Sequence, residues 1–239
     1  MKMKNVNSVH LVGRLGADPT ESVLASGAKK ARVRLATDNG SGTEPTWHSV
    51  VAWNGAAEKL MGAAKGHKVA LEGRLRKYTW EDSARQTRSE IEIVAFDMKA
   101  AGAQEPGLNS ISLLGHLSKD VRIAATKSGR TVATYTIVTN RAMPKVQKPQ
   151  SREDWDNEAT FHDCVAFDGL AESLKGLPKG SPVFAQGQLV YRRLAATDKY
   201  PEKLLVEVHA SETYLVEPAS EDPNAEAAPA PTGTDGADW

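Results

Sequence analysis

Residues 7–18, NSVHLVGRLGAD, return at residues 109–120 as NSISLLGHLSKD, a displacement of 102 positions. Inside the first copy, apolar Val9, Leu11 and Leu15 alternate with polar neighbours, the period-2 signature of a strand with one buried face. Working outward, the offset of 102 holds for Ser26-Gly27 with Ser128-Gly129, Ala31 with Ala133 and Thr37 with Thr139. Beyond one gap it becomes 114, pairing His48 with His162, Val51-Ala52 with Val165-Ala166, Lys65-Gly66 with Lys179-Gly180 and Gly73-x-Leu75 with Gly187-x-Leu189. A constant offset on each side of a single gap marks a duplicated domain carrying one insertion of 12 residues,.

The expected organisation is therefore residues 5–101 as one unit, a short linker at 102–106, and 107–217 as the second unit with a longer loop at 141–160. Residues 218–239 form a disordered acidic tail in this reading. That tail is rich in Ala, Pro, Gly and acid and has too little apolar surface to order itself. Each unit reads as strands at Asn7–Leu15, Lys30–Thr37, Trp47–Trp53, Lys68–Trp80 and Ser89–Met98, in first-unit numbers. A short helix opened by Asn54 and closed by Gly66 stands between the third and fourth. Five strands with that one helix are the order of an OB-fold, a Greek-key barrel whose open face binds oligonucleotides. The fold class expected is all-β with short helices: two tandem OB-fold barrels and a tail.

At this point five segments in register, NSVHLVGRLGADP, SGAKKARVRLAT, TWHSVVAWNGAAEKL, KGHKVALEGRLRKYTW and EIEIVAFDM, resemble the bacterial single-stranded-DNA-binding proteins. The second unit matches through NSISLLGHLSKD, SGRTVATYTIVTN, TFHDCVAFDGLAESL and KGSPVFAQGQLVYRR. The resemblance implies sequence-tolerant binding of single-stranded DNA in replication, recombination and repair, without catalysis. It also implies four barrels per assembly, hence a homodimer of this two-barrel chain; strand edges, which otherwise need covering, are the expected pairing surface. The family tail ends in an acidic run followed by Ile-Pro-Phe or a close variant that docks partners. Here the end is Thr-Asp-Gly-Ala-Asp-Trp, so Asp235, Asp238 and Trp239 are the candidate tip for replication or repair proteins.

Charge agrees with a polyanion partner. Lys and Arg total 30, as do Asp and Glu, but residues 217–239 hold six acids and no base, leaving the remainder at +6,. Non-specific single-strand binding needs cations along a phosphate track and aromatic faces for bases. Residues two apart in a strand share a face. Trp47 and Trp53 thus stand together on one strand, Arg32 and Arg34 on its neighbour, and Arg74, Arg76, Tyr78 and Trp80 on a third, with the opposite parity mostly small or apolar. The resemblance places its stacking aromatics at Trp47, Trp53 and Trp80. The second unit offers Phe161, Phe167 and Arg192, and its insertion adds Trp155. Thr134, Thr136, Asp163, Gln188, Val190 and Leu194 replace the first unit's other groups, so the first barrel is expected to carry most of the affinity.

No catalytic, cofactor or metal site is expected. Phe161-His162-Asp163-Cys164 could suggest a nucleophile, but neighbouring strand residues face opposite ways, and Cys164 takes the inward position of Val50. Six histidines and one cysteine show no ligand spacing,. The lone cysteine cannot form an internal disulfide, and no apolar run approaches about 18 residues, so a cytoplasmic, nucleoid-associated protein that starts as mature chain is expected and no membrane partner. Two competing functions share the fold: a primosomal or RNA-binding accessory protein, and a scaffold whose barrels bind proteins.

Overall fold

The computed structural model describes residues 5–38, 44–81, 83, 85, 87–144, 155–194 and 203–216; the side chains at 78–80, 87–88, 143–144, 155–157, 194 and 203 lie outside the described set. The first half runs β1 (Val6–Leu15), β2 (Thr20–Val23), β3 (Lys29–Thr37), β4 (Thr46–Trp53), α1 (Gly55–Met61), β5 (Lys68–Glu81) and β6 (Thr87–Ala100). The second repeats it as β7 (Leu108–Leu117), β8 (Arg122–Ala125), β9 (Thr131–Pro144), β10 (Trp155–Phe167), α2 (Asp168–Ser173), β11 (Pro182–Leu194) and β12 (Lys203–Leu215).

Alternation carries the fold. In β1 the residues Val9, Leu11 and Leu15 are at most 2% exposed, and in β7 Ile111, Leu113 and Leu117 match them. One continuous sheet runs β2-β3-β4-β6-β5-β1-β7-β11-β12-β10-β9-β8. Additional pairing of β1 with β3 and of β7 with β9 closes each half on itself. Each half is thus a five-stranded OB-type barrel with a short helix between its third and fourth barrel strands. Closure brings backbone very near backbone: a Cβ at Gly13 would run into the Ala36 carbonyl oxygen, and one at Gly115 into that of Val138. Only glycine leaves room there.

The halves join through antiparallel β1 and β7, in a register that pairs Val9 with Ile111, Val6 with Leu114 and Val12 with Leu108. Val9 and Ile111 are repeat equivalents, so the pseudo-twofold axis passes through that pair. The repeat extends to irregularities. A bulge leaves Phe96 unpaired opposite the Glu72/Gly73 step, and Ser211 unpaired opposite Gln186/Gly187.

Three expectations change. The barrels each carry a sixth strand, β2 or β8, which is only 4 residues long and largely exposed, too short for a burial pattern to show. Asn54 does not cap α1 through its side chain. It takes a positive φ of 49°, and its Oδ1 accepts from the Lys29 amide at 3.3 Å. The stretch 141–160, expected as loop, is strand at both of its described ends: β9 and β10 stay paired out to Pro144 and Trp155. Residues 145–154 and the tail from 217 onward lie outside the described residues.

Candidate nucleic-acid interface

Trp47 sits near the start of β4 and is 42% exposed. Its indole lies against Gly16 in the turn after β1, where any Cβ would meet the ring. Trp53, at the end of the same strand, is half-buried, with Lys30 Nζ 5.4 Å from its ring centroid. Lys30 is its direct partner across the β3–β4 ladder. A cation over an indole face fixes the ring and leaves positive charge beside it.

The residues between the tryptophans do not share their exposure. Ser49 is 6% exposed and Val51 fully buried. The cover comes from arginine. Arg32, on β3, reaches across β4 to β6, where its guanidinium stands 3.4 Å from Glu90 and 3.3 Å from Glu92. Arg34 donates to the Ser49 hydroxyl at 2.7 Å, and that hydroxyl donates to Glu90 at 2.9 Å. Arg76 binds Glu92 through Nε at 3.0 Å and through a second nitrogen. Glu92 is itself fully buried. The face is therefore a woven sheet of arginine and glutamate between two aromatic platforms, and not the open basic stripe expected. The signal lay in Glu90-Ile91-Glu92-Ile93, which sets both acids on one side of β6, Glu92 directly opposite Arg76.

Arg74 departs furthest from expectation. It is 6% exposed, and its guanidinium pairs at 3.2 Å with Glu158 of β10 in the other barrel. Burial lowers its pKa, against the pull of Glu158. The side chains of Tyr78, Trp80 and Trp155 lie outside the described residues.

The second barrel keeps the aromatic frame. Phe161 is 57% exposed. Phe167 is half-buried, with the Arg130 guanidinium 5.0 Å from its centroid and the His209 ring at 5.6 Å. Arg130 in turn pairs with Asp168 at 2.7 Å. Between the phenylalanines the exposed Asp163 accepts from the Thr136 hydroxyl at 2.8 Å, and Arg192 pairs with Glu207 at 2.8 Å.

Two histidines at equivalent repeat positions point inward. His48 and His162 sit 2.9 Å from the hydroxyls of Thr37 and Thr139 through equivalent Nε2 atoms. Burial lowers both to about 4. Cys164 is buried and its thiol pushed up by burial, the state of a packing residue,.

This geometry meets its known counterparts in a match that covers residues 6–101 and again 108–216, to the single-strand binding protein family. The chain belongs to that family. Among its relatives, single-stranded DNA-binding protein 1 of Chlorobaculum tepidum is 35% identical over 113 residues, 44% of this chain and 70% of that protein. The single-stranded DNA-binding protein of Deinococcus radiodurans is 27% identical over 213 residues, 78% of this chain and 68% of its own length. A crystal structure of the wild-type single-stranded DNA binding protein from Thermus aquaticus shares the fold, with a TM-score of 0.67 at 22% identity over 97% of this chain and 98% of that one. Family membership thus spans both barrels, as does the likeness of fold.

Proposed function

We propose that the chain binds single-stranded DNA without sequence preference and without catalysis, protecting strands exposed in replication, recombination and repair. The observation that carries this reading is the placing of Trp47 and Trp53 at the two ends of one outer barrel face, repeated as Phe161 and Phe167, with Lys30 or Arg130 against the inner ring of each pair. Every base has a face to stack, so aromatic platforms with flanking cations suit any sequence. Arg32, Arg34, Arg76 and Arg192 border the same faces and supply phosphate contacts, Arg32, Arg76 and Arg192 by exchanging a carboxylate partner for a phosphate and Arg34 by leaving the Ser49 hydroxyl. Tyr78, Trp80 and Trp155 extend the face in this proposal, and Asp235, Asp238 and Trp239 dock other proteins.

The proposed assembly is a homodimer. The outer face of β1, β7, β11 and β12 carries a cross-strand apolar row, Val6, Leu114, Phe184 and Tyr214, with Val6 37% and Tyr214 48% exposed. Exposed apolar rows of that kind favour a partner. No helix among the described residues is long and apolar enough to cross a membrane, and a cytoplasmic place suits a DNA ligand.

The deciding experiment is a titration of the full chain with poly-dT and with poly-rU, followed by tryptophan fluorescence at two salt concentrations. Quenching by poly-dT that weakens with salt supports the reading. A stronger response to poly-rU would favour an RNA-binding accessory role, and no response to either would favour a protein scaffold. Sedimentation at the mass of one 25.7 kDa chain would remove the homodimer.

A further inference from the structure

The two sides of the pseudo-twofold seam are held by different chemistry. On one side His48 of the first barrel meets Tyr191 of the second, Nδ1 to hydroxyl at 3.1 Å, the rings edge-on at 5.4 Å. The repeat places His162 and Lys77 at the equivalent positions across the axis. Lys77 is exposed there, and His162 Nδ1 has no partner among the described residues. On that second side the link is Arg74 with Glu158, at 3.2 Å. Its own equivalents, Gln188 and Glu44, are both exposed. Among the described residues the seam thus carries an aromatic contact on one side and an ion pair on the other, besides the Asn5 side-chain amide, which donates to the Asn140 carbonyl at 3.4 Å.

Glu158 belongs to the part of β10 that the 12-residue insertion lengthens. It stands opposite Arg141 on β9. Arg74, Arg76 and Arg141 lie close enough that the last two lower the first. Three guanidiniums would repel one another across this seam, and Glu158 is the carboxylate that pairs with the buried one. A single pair of antiparallel strands, β1 and β7, resists sliding but can twist, so lateral contacts set the angle between the barrels.

We propose that Arg74 and Glu158 form a one-sided lock that fixes the angle between the barrels, and that Arg74 acts on DNA as a positioning residue without touching it. The proposal rests on the DNA-binding reading for its functional consequence and on geometry alone for the lock. A continuous strand of DNA crossing both barrels senses their angle, whereas an oligomer held by one barrel does not. Exposed phosphate ligands behave differently: loss of an arginine weakens binding, and loss of a neighbouring glutamate tightens it.

The test uses the full chain with Arg74→Gln, Glu158→Gln and the charge exchange Arg74→Glu with Glu158→Arg. Both single variants are expected to weaken poly-dT binding by a similar factor, roughly tenfold, although they change net charge in opposite directions. A dT oligomer of about 10 nucleotides, within reach of one barrel, is expected to bind them as it binds the unaltered chain. The exchange is expected to restore poly-dT binding. Independently of DNA, spin labels at Glu58→Cys on α1 and Glu172→Cys on α2, diluted with unlabelled chain, are expected to give a narrow distance distribution. That distribution should broaden in both single variants and narrow again in the exchange. Cys164 is buried and does not compete for label. An unchanged distribution in the single variants overturns the lock whatever DNA does. A lower salt slope in Arg74→Gln with tighter binding in Glu158→Gln makes Arg74 a phosphate ligand and overturns its positioning role. Broadened distances in a chain that binds no poly-dT at all would keep the lock and sink the DNA-binding reading instead.

Discussion

The indole of Trp47 lies across Gly16 where a single added carbon would meet it, so the platform depends on a residue with no side chain. Gly16→Ala is expected to push the ring aside and weaken poly-dT binding by about 1–3 kcal/mol, the worth of one stacked base. Trp47→Ala should do the same, with thermal unfolding nearly unchanged in both because the ring is 42% exposed. Loss of the fold in Trp47→Ala would make the indole a core residue. The buried imidazoles give a second expectation, about pH. Unfolded His48 and His162 take a proton near 6.5, but folded ones only near about 4. Between those values the unfolded chain holds more protons, so stability rises with pH there and is lost as pH falls through that window. The loss is on the order of 3 kcal/mol per histidine over the whole window, of which about 2 kcal/mol falls between pH 7 and pH 5. Urea midpoints at pH 7 and pH 5 check it, and His48→Gln should reduce the difference between them. Parity in the strand made the tryptophans and the inward histidines readable from sequence. The glycine under Trp47 was not, because it comes from a turn 31 positions away.

At the scale of elements, β3, β4 and β6 form one charged fabric because the long side chains of the outer strands meet above the middle one. Glu92 is its centre, fully buried between Arg32 and Arg76. Removing one member of a buried ion pair leaves the others uncompensated. Glu92→Gln is therefore expected to lower stability by about 3 kcal/mol, the low end for such a change, since Arg32 keeps partial access to water,. Denaturant titration measures it, and a loss below about 1 kcal/mol would show that the arginines relax into solvent. Strand parity predicted that Arg32, Arg34 and Arg76 face outward. It could not show that they are paired, because β4 and β6 are parallel neighbours brought together by a crossover. The same non-local pairing hid Arg74, whose partner lies 84 positions further on. The short strands β2 and β8 escaped for the opposite reason, since four largely exposed residues carry no burial pattern.

For the whole molecule, the duplication was readable because a constant offset survives sequence change, and it foretold two similar barrels. How they join was not, since nothing in a repeat states that β1 and β7 pair about Val9 and Ile111. A tandem chain lets the two halves diverge, and the aromatic frames have done so. The first face carries Trp47 and Trp53, the second Phe161 and Phe167, with smaller stacking area. The first barrel's extra arginines count for less than their number, because Glu90 and Glu92 already engage them. The second barrel keeps one arginine beside Glu207 and adds the exposed carboxylate of Asp163 midway along its face. The balance still favours the first barrel, now mainly through stacking and through the anion at Asp163. Since the seam buries strand pairing and the Arg74–Glu158 link, the halves are best compared within the intact chain. Poly-dT labelled for anisotropy avoids reliance on the altered tryptophans. The pair Trp47→Ala with Trp53→Ala is expected to weaken binding at least tenfold more than Phe161→Ala with Phe167→Ala. Asp163→Ser, which installs the first barrel's residue, should tighten binding at low salt by up to about 1 kcal/mol, the scale of a solvated charge at close range. Equal losses from the two aromatic pairs, together with no gain from Asp163→Ser, would mean that DNA follows a different path over the second barrel, one that does not pass between its phenylalanines.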